Sequence, residues 1–599
     1  MFPRKGKTCR IHFCLFSLLH LNVKSSTQAP KMAVQSRRPY PTLFTLSMTL
    51  LSSSLVILVV FFESKYNISD TVKQAQTDSQ VFTYPRWFDL VREEINGKKI
   101  KVGLVNFDDE EPAYKIHGSV LSTVHVRFDH VSKTIKWGDF FPDWIDEDEE
   151  FGLPSCPTIP MPRLEDYRDL DIVMARVPCD GWTRTSGLRD VFRLQVNLVV
   201  ANLLVESGWV MEPDVKRAVY AVFVGSCGPM PEIFRCDDLL RKAGDHWVYK
   251  PELRRLKQKV LMPLGSCQIA QPYAKTGKEV WRYFLSEDKV KKQEYSVFHQ
   301  KEAYVTILHS SEAYVCGAIA LAQSIILSNS TRDPFFNLLS NSARDLLLLH
   351  DENISPKSLT GLRAAGWKTR QIERIRSPFA KKGSYNEWNY SKLRIWLLTW
   401  YDKVIFIDAD VLVLKNMDGL FVYPPLSVAS NYDKTLFNSG IMVVEPSLCM
   451  FEDLMMKRLE VDSYDGGDQG FLNEVFTWWH RLPSKVNFRK IFQRNGSRKN
   501  IPDDLSAIHY LGLKPWMCYR DYDCNWDMKE RQIFASDKAH EKWWQVYDTM
   551  PENLQQYCGL TENRDSRIKK WRKIARYLRL PDEHWRIGVK DPRQYNLVQ

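Results

Sequence analysis

Two carboxylates one residue apart, Asp408 and Asp410, interrupt the apolar run Lys403-Val404-Ile405-Phe406-Ile407-Asp408-Ala409-Asp410-Val411-Leu412-Val413-Leu414. Consecutive apolar residues of this kind form a strand buried on both faces, as in a parallel sheet covered by helices. Where such a strand ends, its side chains stand at the carboxyl edge, at which open α/β sheets bind ligands. Residues two apart project to the same side. Paired carboxylates in that place suit a hard divalent cation that keeps positions open for substrate phosphates. Asp-x-Asp by itself also fits an ordinary strand-end turn, so the reading depends on partners further along.

Three such partners follow. In Leu436-Phe437-Asn438-Ser439-Gly440-Ile441-Met442-Val443-Val444 a loop turns into a buried strand, and Asn438 and Ser439 bring amide and hydroxyl groups to the same edge. The stretch Tyr464-Asp465-Gly466-Gly467-Asp468-Gln469-Gly470 combines glycines, which allow close backbone approach to a ligand, with acids and an amide. His509-Tyr510-Leu511-Gly512-Leu513-Lys514-Pro515-Trp516 adds an imidazole and an ammonium. An imidazole completes a site begun by two carboxylates, and Mn²⁺ accepts such mixed ligation better than Mg²⁺ does. Each piece also has a structural role open to it: Asn438 as a turn residue, Asp468 as a helix cap, His509 as a satisfied core histidine. Together, and in this order, they read as a metal-assisted nucleotide-diphosphate site, with Lys514 neutralising the diphosphate.

The elements that must hold these residues alternate. Ala303 to Leu308 reads as a strand, Cys316 to Leu327 as a helix, Leu346 to Leu349 as a strand, Ser358 to Ala365 as a helix, and Trp388 to Trp400 as a helix leading into the Asp408 strand. This βαβ alternation implies a mostly parallel sheet. Within it Arg332-Asp333 recurs as Arg344-Asp345, so Pro334 to Ala343 is either an insertion or an ordinary surface loop. Residues 85–295 form a further α/β region, with strands at Ile172 to Ala175 and Val219 to Val224 and an apolar helix at Val191 to Val205; it carries no catalytic constellation. Acidic Asp146 to Glu150 reads as a solvated loop, and the basic stretch Arg564 to Arg579 in the tail, 561–599, as a solvated face.

At 599 residues and 44% apolar content the chain is globular and holds several domains. A net charge of +11 is compatible with anionic partners, but no nucleic-acid motif accompanies it. Twelve cysteines are scattered without a C-x-x-C pair, which argues against a zinc module and leaves buried thiols or one or two disulfides, with Cys518 and Cys524 a candidate pair. Leu43 to Phe62 contains no charged residue and has the length of a membrane-spanning helix. Lys31, Arg37 and Arg38 precede it and Glu63 follows, so residues 1–42 are expected in the cytosol and the remainder in the lumen, with 64–84 a flexible stem. Ile11 to Val23 is too short to span; it is a leader segment or sequence upstream of a start at Met32. Of five glycosylation sequons, the one at Asn67 in the stem is the expected acceptor.

Through these motifs, residues 303 to about 520 resemble a family 8 glycosyltransferase, the retaining GT-A-fold family that includes glycogenin. The matching elements are Tyr314, Tyr390-Ser391-Lys392-Leu393, Asp408-Ala409-Asp410, Phe437-Asn438-Ser439-Gly440, Gly467-Asp468-Gln469-Gly470 and His509 through Trp516. Longer strings, Tyr385 to Lys392, Asn473 to His480 and Cys518 to Cys524, are similar to the plant glycogenin-like starch-initiation proteins, members of which act as Golgi glucuronosyltransferases that substitute xylan. The tract after Arg332 departs from the pattern. The resemblance implies an α/β, GT-A type nucleotide-sugar-binding domain over 300–560, preceded by the transmembrane anchor and the second α/β region.

For the site, the resemblance implies that Asp408, Asp410 and His509 hold Mn²⁺ against the UDP diphosphate and that Lys514 binds phosphate. Leu308 and Tyr314 would frame the uracil, Lys392 and Asn438 would touch the donor sugar, and Asp465 and Asp468 would line its reacting face. Asp468 and Gln469 would lie nearest the anomeric carbon, with Ala409, Ser439 and Gly512 completing the nucleotide-sugar pocket. Glucuronate carries a carboxylate that glucose lacks, for which Lys392 or Arg394 is the expected cation. The implied activity is Mn²⁺-dependent transfer of glucuronic acid from UDP-glucuronate to xylan with retention, by a single-pass type II Golgi enzyme, with a polysaccharide-synthesis complex as a further partner. Three rivals stand beside it: a self-glucosylating glucosyltransferase that primes starch, a sphingolipid glucuronosyltransferase, and a non-catalytic scaffold.

Overall fold

The computed structural model describes residues 86–92, 94–95, 99–108, 121–142, 156–179, 189–208, 217–267, 269, 301–309, 311–328, 344–431, 433–492 and 501–598. The anchor expected over 43–62, the stem over 64–84, the acidic loop at 146–150 and the tract 334–343 lie outside them. Among the described residues no helix is long and apolar enough to cross a membrane.

The sheet that carries the site has seven strands, in the order His480–Leu482, Ser427–Ser430, Phe437–Val444, Lys403–Ile407, Glu302–Leu308, Asp345–His350 and Lys368–Gln371. The last four run parallel, so their carboxyl ends share one edge. Phe437–Val444 joins Lys403–Ile407 antiparallel. Alternate residues of Lys403–Ile407 feed two cores, Val404 and Phe406 packing with Trp396 and Trp479, Ile405 and Ile407 with Ile319 and Leu412. Two-sided burial is what the uninterrupted apolar run dictates.

Asp408 ends that strand. The chain turns, with Val411 N donating to Asp408 O at 3.0 Å, and resumes as Val411–Val413 in a separate three-stranded sheet with Ala507–His509 and Phe488–Arg489. The single long run is therefore two strands in two sheets. The helix expected over Trp388 to Trp400 is instead a 3₁₀ run, Asn389–Leu397. Its buried residues are Tyr390, Ser391, Lys392, Leu393, Ile395 and Trp396. Arg344 packs into the fold, its Nε 2.7 Å from Glu302 and its Nη1 2.9 Å from Asp418.

Ahead of this domain stands a six-stranded sheet, in the order Leu121–Val126, Ile100–Val105, Ile172–Arg176, Tyr220–Val224, His246–Tyr249 and Leu239–Ala243. The first four strands are parallel and the last two antiparallel. The helix Val191–Gly208 is buried almost all round. Two of its polar side chains are satisfied inside the core, Gln195 accepting from Val131 N at 2.8 Å and Asn197 from Met230 N at 2.9 Å, as burial requires.

Both sheets lie within one unit, Tyr84–Gln599. Glu232 accepts from Thr477 N, Thr477 Oγ1 and Trp478 N at 2.9, 2.9 and 3.3 Å. Gly265 N donates to Trp479 O and Arg481 N to Gly265 O, each at 2.9 Å, and Arg189 Nη2 donates to Asn473 O at 2.9 Å. The preceding region thus braces the segment 473–481.

Five disulfides join all ten cysteines beyond residue 84: Cys156–Cys267, Cys179–Cys227, Cys236–Cys449, Cys316–Cys558 and Cys518–Cys524. This corrects the expected one or two. The basic residues of the carboxyl-terminal stretch face solvent, Arg567, Lys569, Lys570, Lys573, Arg576 and Arg579 being exposed, while the opposite side of their helix packs on the domain. Helix Glu562–Leu578 buries Asp565, Ile568 and Ala575, and Tyr519 OH donates to Asp565 at 2.7 Å. Arg593, also buried, donates from Nη1 to Trp516 O at 3.1 Å and to Cys558 O at 3.0 Å, and from Nη2 to Cys518 O.

At the contact between the two sheets' domains lies a cavity of about 80 Å³, lined by Leu256, Lys259, Trp396, Leu426, Phe476 and Trp478 among others. The Lys259 ammonium donates to Pro425 O at 3.2 Å and lies 4.7 Å from the centre of the Trp478 ring. Burial lowers its pKa to about 8. Folding therefore disfavours its charged form, and that cost disappears as pH rises from about 8 toward the unfolded value near 10.4. Urea unfolding of the wild type is expected to show stability climbing across this window, by at most about 3 kcal/mol from one group, and Lys259→Met is expected to flatten the rise.

Candidate active site

Asp408 stands at the end of the central strand, its N–H donating to Gly440 O at 2.8 Å. The antiparallel pairing of Val411 with His509 sets the imidazole beside Asp410, with Nε2 3.3 Å from Oδ1. One ligand atom from each of Asp408, Asp410 and His509 lies within 4.8 Å of the other two. Asn487 Nδ2 donates to Asn438 Oδ1 at 2.8 Å, which leaves Asn487 Oδ1 to accept from His509 Nδ1 at 3.2 Å. That contact fixes the tautomer and leaves the Nε2 lone pair facing the carboxylates, the second-shell arrangement typical of a metal-ligating histidine. Two carboxylates and an imidazole so presented can hold a divalent cation. Gly440 makes the approach possible, because a Cβ there would stand 2.4 Å from His509 Cε1.

Two lysines serve the carboxylates. Lys514 contacts Asp410 and the Tyr510 carbonyl. Burial alone would raise the Asp410 pKa, but the Lys514 ammonium holds it well below the usual carboxylate range. Asp408 fares differently: burial pushes it up to about 6 against the opposing pull of Lys392. The Lys392 ammonium lies 3.2 Å from Asp408 Oδ1 and 2.7 Å from Asp468 Oδ2. Although burial disfavours its charge, these two acids raise its pKa.

Asp468 opens helix Asp468–Val475, with Gly467 at the cap position. Ser439 Oγ donates to Asp468 Oδ2 at 2.7 Å, and Asn438 Nδ2 donates to Gln469 Oε1 at 2.8 Å. Asn438 and Ser439 lie within the strand Phe437–Val444 itself, not in a loop before it. Leu308 is buried at the end of its strand, where its carbonyl accepts from Asp351 N at 3.2 Å. Ala409 is buried under helix Val315–Leu327, so close that a Cβ on Gly317 would lie 2.5 Å from its carbonyl oxygen. Tyr314 meets Trp516 edge to face at 6.0 Å, and Lys514 Nζ is 5.9 Å from its ring centre. Gly512 adopts φ +77°, a conformation that favours glycine, and a Cβ there would also strike Asn525.

Three expected roles are revised. Asp465 Oδ1 accepts from Gly467 N at 2.8 Å, Gly470 N at 3.0 Å and Ser463 Oγ at 3.0 Å, so that oxygen closes the turn that precedes Asp468. Arg394 pairs with Glu373 at 3.5 Å and lies over the Phe451 ring at 5.6 Å, contacts that take it away from the cluster. Lys392 spends its donors on Asp408, Asp468 and Ser439. Neither cation is placed to receive a donor carboxylate.

Sequence reading missed three contributors. Asn487 orders His509, and Tyr464 OH accepts from Gln469 Nε2 at 2.9 Å. Buried Asn473 accepts from Phe437 N at 2.8 Å and donates to Phe437 O and Gln469 O, each at 2.9 Å, tying the Asn438 strand to the Asp468 helix. Asn473 and Asn487 are polar residues in apolar surroundings, the one signal that could have marked them.

The Glycosyl transferase family 8 model matches residues 305–425, which include Asp408 and Asp410, and the GUX1-5 N-terminal domain model matches 76–267. UDP-glucuronate:xylan alpha-glucuronosyltransferase 2 of Arabidopsis thaliana is 49% identical over 512 residues, 83% of this chain and 81% of that protein. UDP-glucuronate:xylan alpha-glucuronosyltransferase 1 of the same plant is 43% identical over 82% of this chain and 72% of its own length. Inositol phosphorylceramide glucuronosyltransferase 1, also of Arabidopsis thaliana, is 37% identical over only 29% of this chain and 30% of that protein. By its identity over most of the length of the first two, the chain belongs to the group of family 8 glycosyltransferases that they represent.

Proposed function

We propose that this protein transfers glucuronic acid from UDP-glucuronate to the xylan backbone with retention, giving an α-linked branch. The observation that carries the reading is the convergence of Asp408, Asp410 and His509 beside the Lys392–Asp468 pair. The relatives named for this reaction align across most of their length. Mn²⁺ is the proposed metal, since one imidazole joins two carboxylates. When bound it supplies Lewis-acid stabilisation of the departing diphosphate.

The chain's own residues do the rest. Lys514 brings a fixed positive charge to the phosphate end of the site, and the Lys392 ammonium, 2.7 Å from Asp468 Oδ2, holds that carboxylate in place. Gln469, held by Asn438 on its carbonyl and Tyr464 on its amide, stands in a single orientation next to Asp468. A site so preorganised lowers the barrier without reorganising at the moment of transfer.

A Golgi lumen is the proposed location, with residues 43–62 as a type II anchor and a polysaccharide-synthesis complex as a candidate partner. Five disulfides support an oxidising compartment. Calorimetric titration with UDP-glucuronate and UDP-glucose, with Mn²⁺ and with EDTA, tests the donor and metal assignments. Metal-dependent binding that favours UDP-glucuronate is expected. Preference for UDP-glucose would move the reading to a self-priming glucosyltransferase, and no binding of either to a scaffold.

A further inference from the structure

Two loops meet at the edge that carries Asp468. Ser377 Oγ donates to Gly466 O at 2.8 Å and Asn386 Nδ2 donates to Asp465 O at 2.7 Å, stitching residues 377–386 to 463–467. The first loop is closed on itself, with Gly383 N donating to Glu387 Oε2 at 2.6 Å and Ser377 N to Glu387 O at 2.8 Å. Its partner is closed by the Asp465 carboxylate. Gly466 adopts φ +71°, and a Cβ there would lie 3.3 Å from the Phe379 carbonyl. The two loops therefore form one ordered lip.

That lip exposes three aromatic side chains, Phe379 at 37%, Tyr385 at 74% and Tyr464 at 50%. Large rings left in water at an ordered site await something to cover them. The lip reaches the reaction centre through Tyr464, whose OH accepts from Gln469 Nε2 at 2.9 Å.

The acceptor of the proposed reaction is a neutral chain of pyranose rings. Xylose has no hydroxymethyl group, so each ring offers flat C–H faces that an aromatic ring covers well, with hydroxyls left at the rim for polar tips such as that of Tyr464. We propose that Phe379, Tyr385 and Tyr464 are the acceptor platform, on which consecutive xylose rings stack so that one of them is presented to Asp468 and Gln469. The inference rests on the glucuronosyltransferase reading and assigns its acceptor site.

The test is steady-state transfer from UDP-glucuronate to xylotriose and xylohexaose by wild type, Phe379→Ala, Tyr385→Ala and Tyr464→Phe. Thermal unfolding and UDP-glucuronate KM are measured alongside. For Phe379→Ala and Tyr385→Ala the xylohexaose KM is expected to rise about fivefold each, with unfolding and donor KM unchanged. The advantage of xylohexaose over xylotriose should shrink. Tyr464→Phe keeps the ring and loses the hydroxyl, so it should lower kcat and raise the acceptor KM less than either alanine variant does. If the wild type transfers but the two alanine variants keep its acceptor KM, or if Tyr385→Ala raises the donor KM alone, the platform is overturned. If the wild type transfers to neither oligosaccharide, the functional reading falls and the platform with it.

Discussion

Asp410→Asn is expected to reduce transfer about a thousandfold, matching the several kcal/mol that a Lewis-acid metal supplies. Asp410 contacts both His509 and Lys514, so the substitution removes a metal ligand and leaves the buried ammonium facing a neutral amide. Asp408 is less enclosed and its charge is already disfavoured by burial. Asp408→Asn should therefore cost activity with little loss of stability, whereas Asp410→Asn costs both. Transfer rate and Mn²⁺ affinity measured on both variants, with urea unfolding alongside, check this. Activity of Asp410→Asn within tenfold of wild type would count against the metal assignment.

The second large effect lies behind the site. Lys490 and Asp523 form a fully buried ion pair. Asp523 also accepts from Ser536 N at 3.0 Å, from Asn525 N at 3.0 Å and from Asn525 Nδ2 at 2.6 Å. Asn525 in turn accepts from Leu513 N at 2.8 Å and donates to Leu513 O at 2.9 Å, next to Lys514. The pair thus holds the loop that presents Lys514, and Lys490 N bonds the carbonyl of His509 at 3.0 Å.

Burial opposes both charges. It lowers the Lys490 pKa despite Asp523, while Lys490 and His540 hold Asp523 below its ordinary value despite burial. The two shifts pull opposite ways in stability: the acid gains from folding and the ammonium loses, so the pair is close to neutral as a whole. Breaking it is different. Asp523→Asn strands a buried ammonium and is expected to destabilise by about 3–5 kcal/mol. The double variant Asp523→Leu with Lys490→Met should recover much of that. The Asp523 contribution is present above the unfolded carboxylate pKa near 3.9 and is lost as pH falls through the lower folded value. Urea unfolding of the three proteins measures it; a single-variant change under about 1 kcal/mol would contradict the account.

The sequence was most legible where an element's burial is uniform. The run at Lys403 announced a central strand, and its two acids announced the edge. Less legible was that Val411–Val413 joins another sheet, because that depends on pairing with Ala507–His509 about a hundred residues on. His509, Asp468 and Lys392 were found as residue types within motifs. Their contacts were not, since the second shell of Asn473 and Asn487 carries no local pattern. The 3₁₀ run at Asn389 buries Tyr390 through Leu393 with Ile395 and Trp396, a pattern without a period to tell it from an α-helix.

Other features could not be read locally. Four of the five disulfides join cysteines 48 to 242 positions apart, and such pairing leaves no trace in spacing; only Cys518–Cys524 did. Arg593, beyond the basic stretch Arg564 to Arg579, satisfies carbonyls from Trp516, Cys518 and Cys558, a closing contact that no local pattern announces. Asp465 took its role from the family resemblance, yet its Oδ1 is used by the turn.

The most direct test of the central claim is proton NMR of the oligosaccharide recovered after incubation of the protein with xylohexaose, UDP-glucuronate and Mn²⁺. A new α-anomeric glucuronate signal on a xylose ring, absent with EDTA and with Asp410→Asn, is the predicted result. A β-anomeric signal, or the same signal persisting undiminished in Asp410→Asn, would contradict it.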